Sequence, residues 1–261
     1  MIDLHTHTNA SDGSSTPAEL LRAARQVGLK ALAITDHDTL KGFDAALPLA
    51  ADYGVELVCG IELTTVFDGG GAQELPMHVL GYFLRDIPGD DFRKWLTSIS
   101  STRNHRNLQL MERLKASNID ISWDDFPGLG PDFAARPHFA KVLVAKGYVP
   151  NLQKAFDVYL NDSALSGLVR RLPSAQKAVR MIRQNGGIAS LAHPGRVCCN
   201  SISDLKRCVA ELIDNGLNAI EVYHSDHAPA ETAGLLKIAA EFQLLGTGGT
   251  DYHGDNKPEI Q

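Results

Sequence analysis

Hydrophobic and polar positions along the chain follow two periods, which predict short strands separated by helices. Apolar and polar residues alternate from residue 2 to 8, as in a strand. Thr16, Pro17 and Glu19 form a typical helix start, and Gly28 is suited to end that helix. Further helices are predicted at 39–53, 201–215 and 229–242. Further strands are predicted at 30–36, 56–65, 75–84, 188–193, 219–224 and 244–251. Seven strands with intervening helices favour a parallel sheet or a barrel.

The alternation breaks between the fourth and fifth strands. Residues 99–165 show helical periodicity, as in Leu108, Met111 and Leu114, and contain no convincing strand. We therefore predict an α/β barrel from residues 1–98 and 166–261, with an inserted helical cap domain at 99–165. Insertions of this kind commonly shape access to a substrate site.

Composition narrows the class of protein. The 261 residues are 44% hydrophobic and 21% charged, as in ordinary globular proteins. No apolar run reaches about 20 residues and no signal peptide is evident, so we expect no membrane partner. The four cysteines lack metal-finger spacing, which suits a reducing cytoplasm. The net charge of −6 argues against a broad nucleic-acid-coating surface but leaves a local basic pocket open. Nothing indicates an obligate protein partner.

Potential metal ligands fall within or at the ends of the predicted strands. His5 and His7 are two apart on one strand and therefore point to the same side. A single such histidine is usually structural, but six histidines and three acids are expected to converge where barrel strands end. The nine candidates are His5, His7, Asp12, His37, Glu62, His78, His193, Asp251 and His253.

Nine donors exceed what one catalytic ion binds and suit two or three ions with a bridging carboxylate. Nitrogen and oxygen ligands without thiolate fit divalent manganese, zinc or iron. Three divalent ions against three carboxylates leave a positive pocket. Such a pocket would attract a phosphate ester and supply a metal-bound hydroxide as nucleophile.

These motifs resemble those of the polymerase and histidinol phosphatase (PHP) family. They are His5-Thr-His7, Thr35-Asp-His37-Asp38, Gly60-Ile-Glu62, His78, His193-Pro194 and Gly249-Thr-Asp251-Tyr-His253. The resemblance implies a distorted seven-stranded βα barrel with three metal ions, manganese being the first choice. It assigns one ion to His5, His7, Glu62 and Asp251. It assigns a second to Glu62, His78 and His193, and a third to Asp12, His37 and His253.

The insertion resembles one branch of that family through Ala135-Arg136-Pro137-His138 and the residues that follow. That branch hydrolyses nucleoside 3',5'-bisphosphates, and some members trim 5'-phosphorylated RNA. The implied substrate is a small nucleotide or a short RNA. The candidate substrate contacts are Arg136, His138, Arg170, Arg171 and Arg196. The alternative for each arginine is a solvated surface charge, and for His138 a structural role at a helix start.

The implied reaction removes the 3'-phosphate, with Glu62 and Asp251 in the catalytic centre and His224 as general acid. Glu221, His224, Asp226 and His227 cluster at the end of strand six. These residues would orient the metal ligands, contact the substrate or have a purely structural role.

Other functions stay open at this stage. They include a 5'-3' exoribonuclease, a histidinol-phosphate phosphatase and a non-catalytic metal-binding module. An amidohydrolase also begins with His-x-His, but it commonly needs a bridging lysine on strand four. Residues 75–83 contain no lysine and carry His78 instead.

Overall fold

The computed structural model describes residues 1–69, 75–126, 131, 134–161, 163–165, 167–168, 172–197, 199 and 201–260. The chain divides into two compact units. The first unit comprises residues 1–94 and 172–261, and the second comprises residues 95–171.

The first unit is built on a seven-stranded sheet whose strands lie in sequence order. The strands are β1 (Ile2–Thr6), β2 (Ala31–Ile34), β3 (Glu56–Phe67), β4 (Leu75–Phe83), β5 (Ile188–Leu191), β6 (Ala219–His224) and β7 (Leu245–Gly249). Neighbouring strands run parallel except at β4, which is antiparallel to both β3 and β5. The expectation of a parallel arrangement is thus wrong for this strand.

The sheet curls until its last strand meets its first. The backbone N–H of His7 donates to the carbonyl of Tyr252 at 2.9 Å, and that of Asp251 donates to His5 at 2.8 Å. These bonds follow the end of β7 and join it to β1. The predicted α/β barrel of seven strands is therefore confirmed.

Helices surround the strands of the first unit. They are α1 (Pro17–Gln26), α2 (Lys41–Ala46), α3 (Ala50–Tyr53), the start of α4 (Asp90–Ala116), α7 (Ala175–Gln184), α8 (Ile202–Asp214) and α9 (Pro229–Glu241). Helix α1 begins with the expected capping box between Thr16 and Glu19. The single helix predicted at 39–53 is two helices, because Pro48 lacks the N–H that a continuous helix requires. None of the helices in the described part of the chain is long and apolar enough to span a membrane.

Apolar side chains from five successive strands contact one another inside the barrel unit. Such a layer fills the interior of a small barrel and leaves its polar residues to the strand ends. The cluster consists of Leu4, Ala33, Val58, Leu80, Tyr82, Ile188 and Ala192.

The second unit has its own hydrophobic core. It contains the remainder of α4, α5 (Arg136–Ala145), α6 (Leu152–Ala155) and a short π-helix at Phe156–Leu160. Phe126, Phe139 and Trp123 pack against one another in tilted and edge-to-face contacts within this core, with ring centroids 4.8–5.9 Å apart. The role of this unit as a cap stays a prediction.

Candidate metal centre

The first two histidines of the chain lie side by side at the centre of the site. His5 and His7 are fully buried on or just after β1. Their Nε2 atoms lie 3.2 and 3.1 Å from Oε2 of Glu62. They lie 3.5 and 3.3 Å from Oδ1 of Asp251. The ligand atoms of these four residues fall within 4.8 Å of one another, close enough to share one ion.

Glu62, in the middle of β3, connects this group to a second one. Its Oε1 atom lies 2.8 Å from Nδ1 of His78 and 2.8 Å from Nε2 of His193. His78 comes from the antiparallel β4, and His193 follows the end of β5. One carboxylate therefore faces two histidine groups from opposite oxygens.

A third group forms around Asp12, in the loop after β1. Its carboxylate lies 3.2 Å from Nε2 of His253, 3.5 Å from Nδ1 of His7 and 3.7 Å from Nε2 of His37. These four residues also form a set whose ligand atoms lie within 4.8 Å of one another. The structure thus brings together all nine residues that the sequence predicts as ligands.

Close backbone packing at the end of β7 holds these groups together. A Cβ atom on Gly249 would lie 2.3 Å from the Cβ of His5, so a larger residue cannot pack here. Two residues later, Asp251 has a φ of 58°, an uncommon conformation for a residue other than glycine. This turn places the Asp251 carboxylate against the β1 histidines.

Charges within the cluster shift the pKa values of its histidines in both directions. Burial opposes protonation, yet the carboxylates of Glu221 and Glu62 raise the pKa of His5 well above its usual value. Burial likewise opposes protonation of His7, but the adjacent carboxylates of Asp251 and Glu62 raise its pKa to about 10. At His37 burial prevails and lowers the pKa to about 3.

The carboxylates retain their negative charge. Burial opposes ionisation, but the surrounding histidines lower the pKa of Asp12 and of Glu62 well below the usual values. Asp251 is buried too, and the adjacent imidazoles of His224 and His7 lower its pKa. The centre therefore combines fixed anions with imidazoles, which is the donor set that divalent cations bind.

Several ring nitrogens in the cluster are buried without a hydrogen-bond partner among the described residues. Buried polar atoms are normally paired, so this group requires an explanation. Four of the five face a carboxylate oxygen of Glu62 or Asp251 at 3.1–3.5 Å, and the residues present therefore fit divalent metal ions. The atoms are His5 Nε2, His7 Nε2, His37 Nδ1, His193 Nδ1 and His224 Nε2.

Asp251 also faces a second set of side chains through its other oxygen. Oδ2 accepts hydrogen bonds from Arg196 at 2.8 Å and from Lys257 at 2.5 Å. Arg196 additionally donates from Nε to Asp226 at 2.8 Å. The sequence predicted Arg196 near the site, but Lys257 was missed because nothing in its local sequence marks it.

His224, at the end of β6, lies beside the same carboxylate. Its Nδ1 accepts a hydrogen bond from the backbone N–H of Asp226 at 3.0 Å. The proton of the neutral ring is therefore on Nε2, which lies 3.5 Å from Oδ2 of Asp251.

Four further residues were predicted as substrate contacts. Arg136 and His138 belong to the second unit. Nδ1 of His138 accepts a hydrogen bond from the backbone N–H of Ala135 at 2.9 Å, as a residue in the first turn of α5 does when it caps the helix. Arg170 and Arg171 lie outside the described residues.

Comparison with known proteins identifies the family to which the chain belongs. Residues 3–157 match the model of the PHP domain. A 5'-3' exoribonuclease of Salmonella typhimurium is 33% identical over 256 residues, covering 97% of this chain and 85% of the relative. A phosphoribosyl 1,2-cyclic phosphate 1,2-diphosphodiesterase of Eggerthella lenta is 31% identical, covering 97% and 94%. A 3',5'-nucleoside bisphosphate phosphatase of Chromobacterium violaceum is 29% identical, covering 97% and 87%.

Solved structures resemble this fold along most of its length. A Chromobacterium violaceum protein described as an amidohydrolase, with bound sulfate and no metal, superposes with a TM-score of 0.85 at 28% identity. The match covers 98% of this chain and 88% of that one. A candidate metal-dependent phosphoesterase from Bifidobacterium adolescentis gives 0.80 at 30% identity, covering 98% and 89%.

Proposed function

The chain belongs to the PHP domain family of metal-dependent phosphoesterases, and from this premise we propose that it hydrolyses the 3'-phosphate of nucleoside 3',5'-bisphosphates. The observation that carries the phosphoesterase chemistry is the convergence of nine nitrogen and oxygen donors around Glu62 and Asp251. The choice of substrate is supported by the nucleoside bisphosphate phosphatase among the relatives.

Three divalent ions, manganese first among them, would be held by three sets of residues. Glu62 takes part in two sets, with His5, His7 and Asp251 in one and His78 and His193 in the other. The third set is Asp12, His37 and His253, which His7 also approaches. When bound, the ions supply positive charge and activate water as a nucleophile.

The chain itself supplies two cations for the phosphate. Arg196 and Lys257 meet at Oδ2 of Asp251, and both are partly exposed. Each has further donor hydrogens beyond its bond to Asp251 and can offer them to a phosphate oxygen. Asp251 thus anchors two positive charges at the edge of the centre, where they would orient the scissile phosphate.

His224 would donate a hydrogen bond to the oxygen of the leaving group. Its Nε2 carries the proton in the neutral ring because the backbone N–H of Asp226 occupies Nδ1. Nε2 is buried and within 3.5 Å of Asp251, so the proton is directed toward the reacting centre. The neutral ring would stabilise the negative charge that develops on the leaving oxygen, while the attacking water supplies the proton that completes the leaving hydroxyl.

A second candidate substrate is the 5' end of RNA. Exoribonucleases from Salmonella typhimurium and Escherichia coli are 33% and 32% identical to this chain over nearly its whole length. The same donors and cations would serve that reaction, since both substrates present a nucleotide phosphate to the centre. The cyclic phosphodiesterase among the relatives adds a further phosphoester to test.

Separate assays with the two substrates test these candidates directly. Manganese-loaded protein would be incubated separately with adenosine 3',5'-bisphosphate and with a short 5'-phosphorylated RNA. Release of phosphate with adenosine 5'-monophosphate as product supports the bisphosphatase proposal. Stepwise release of 5'-mononucleotides from RNA, without hydrolysis of the bisphosphate by metal-loaded protein, contradicts it and favours the exoribonuclease. The Glu62→Gln variant is the control for contaminating nucleases.

A further inference from the structure

Glu221, on β6, contacts two residues that belong to different ligand sets. Its side chain is completely buried. Oε1 lies 2.9 Å from Nδ1 of His5, and Oε2 accepts the backbone N–H of His193 at 2.7 Å. Each oxygen of one carboxylate is therefore committed to a different partner.

The contact with His5 fixes the tautomer of that ring. A carboxylate accepts but does not donate, so His5 carries its proton on Nδ1. Nε2 is therefore the atom whose lone pair can bind a metal, and this atom faces Glu62 and Asp251. Carboxylate bonds of this kind orient metal-binding histidines and make them stronger ligands.

The contact with His193 fixes a backbone rather than a ring. His193 has a φ of 25° and a ψ of 65°, which is an unfavourable conformation for a residue with a Cβ. Its N–H is held by Glu221, and its Nε2 lies 2.8 Å from Glu62. The bond to Glu221 therefore determines the point from which the His193 ring reaches the centre.

We propose that Glu221 is a positioning residue that couples two ion sites, one through the ring of His5 and one through the backbone of His193. The inference rests on the proposed metal centre. It assigns a role to a residue outside the three proposed ligand sets, which would set the geometry of two ligands at once.

A Glu221→Gln substitution cannot preserve both contacts. If the amide oxygen faces His5, the amide NH₂ meets the N–H of His193, and two donors oppose each other in a buried place. If the NH₂ faces His5, that ring must accept at Nδ1, and its proton moves to Nε2. Nε2 then no longer has a lone pair for a metal. Either orientation impairs one ion site.

Metal binding provides the test. Wild type, Glu221→Gln, Glu221→Asp and Glu211→Gln would be titrated with Zn²⁺ and Mn²⁺, and bound metal per chain measured against a competing chelator. Glu211 is the matched control, because it accepts from Gln176 at 2.6 Å in the same unit without touching the centre. We expect Glu221→Gln to bind the ion at the impaired site about 10- to 100-fold less tightly than wild type does. Glu211→Gln should bind metal with the affinity of wild type.

A second readout requires no metal. In metal-free protein labelled with ¹⁵N-histidine, the Nδ1 proton of His5 should give a protected ring signal, assigned by its absence in His5→Asn. If the NH₂ of Glu221→Gln faces His5, we expect that signal to be lost. If its oxygen faces His5, the signal stays and the backbone N–H of His193 should exchange faster. Both signals should be as in wild type in Glu211→Gln. If Glu221→Gln does not fold, Glu221→Asp carries the test, because a side chain shorter by one methylene cannot reach both partners and should still weaken one ion.

These outcomes distinguish a failure of the coupling role of Glu221 from a failure of the proposed metal centre. Metal affinity and His5 ring signals equal to wild type in the Glu221 variants overturn the coupling role while leaving the metal centre standing. Wild-type protein that binds neither metal would overturn the proposed centre itself. Weakened metal binding together with a changed His5 tautomer or faster exchange of the His193 N–H supports the coupling.

Discussion

Oε1 of Glu62 lies 2.8 Å from Nε2 of His193, although 131 positions separate the two residues in the chain. The other oxygen of the same carboxylate lies 3.1 Å from Nε2 of His7, on a different strand. Glu62 is buried and its pKa is well below the usual value, because neighbouring imidazoles outweigh the cost of burial. One anion is therefore shared by two groups of donors, and its loss should affect both.

Glu62→Gln should reduce the amount of bound metal by two ions per chain, since an amide is a much weaker ligand than a carboxylate. Lost charge stabilisation worth several kcal/mol should lower phosphate release about 10³-fold or more. Metal analysis after gel filtration and a phosphate-release assay measure the two effects. Glu56→Gln, on an exposed position of the same strand, is the control. Full metal content in Glu62→Gln would contradict the bridging role.

Much of this architecture was predictable because its signals are local. The strands are short and bounded by turn residues, and the nine donors lie in motifs such as His5-Thr-His7 within strands or close to their ends. The direction of β4 was not predicted, although the chain contains the clue. Only the seven residues 68–74 separate β3 from β4. A parallel connection requires about a dozen, so a hairpin was the only choice.

Contacts that depend on barrel closure could not be predicted from the sequence. Glu221 and His5 are 216 positions apart, and their hydrogen bond requires the barrel to close so that β6 and β1 lie on the two sides of β7. Lys257 reaches Asp251 through the loop conformation after β7, which leaves no periodic pattern. Neither pair could be chosen from the many charged residues of the chain before the fold was known.

His224→Asn should slow turnover about 10²- to 10³-fold while leaving metal content unchanged, because the variant loses the proton on Nε2 but no assigned ligand. Turnover and bound metal would be measured on the same preparation. His105→Asn, on an exposed position of α4, is the matched control. Unchanged turnover would exclude His224 as a hydrogen-bond donor to the leaving group. A parallel loss of metal would instead make it a ligand.

Lys257→Ala should raise KM for a phosphate ester about tenfold or more. A hydrogen bond to a charged group contributes about 1.5–3 kcal/mol, and Lys257 would give one to the substrate phosphate. Steady-state kinetics with the nucleoside bisphosphate measure this effect. Lys237→Ala, on the exposed side of α9, serves as control. An unchanged KM would mean that Lys257 does not bind the substrate phosphate and only neutralises the charge of Asp251.

Removal of metal should lower thermal stability, because it leaves buried ring nitrogens and anions without partners. A ligand present at 100 times its Kd stabilises the folded state by about 2.7 kcal/mol. Since 1 kcal/mol shifts Tm by about 2–4 °C in proteins of this size, manganese should raise Tm by about 5–10 °C. Thermal unfolding with manganese and with a chelator measures the difference. Equal Tm values in the two conditions, with manganese bound, would contradict this expectation.

Gly42, in α2, should be intolerant of even a methyl group. A Cβ at this position would lie 1.8 Å from Oδ2 of Asp36. That buried carboxylate accepts hydrogen bonds from the backbone N–H and hydroxyl of Thr8 at 2.8 and 2.7 Å, and from Ser11 at 2.6 Å. These bonds hold the loop that carries Asp12. Displacing Asp36 would therefore disturb both the loop and the ion site that it supports.

Gly42→Ala should consequently lower the free energy of unfolding by about 1–3 kcal/mol, as overpacking does, and weaken the ion held by Asp12. Gly234→Ala is the control, because its Cβ would meet nothing within 4 Å and alanine favours a helix by about 0.5–1 kcal/mol. Urea unfolding of metal-free protein isolates the packing effect, and metal titration then measures the ion. An unfolding midpoint equal to wild type in Gly42→Ala would mean that Asp36 can move without cost, and that its hydrogen bonds do not position Asp12.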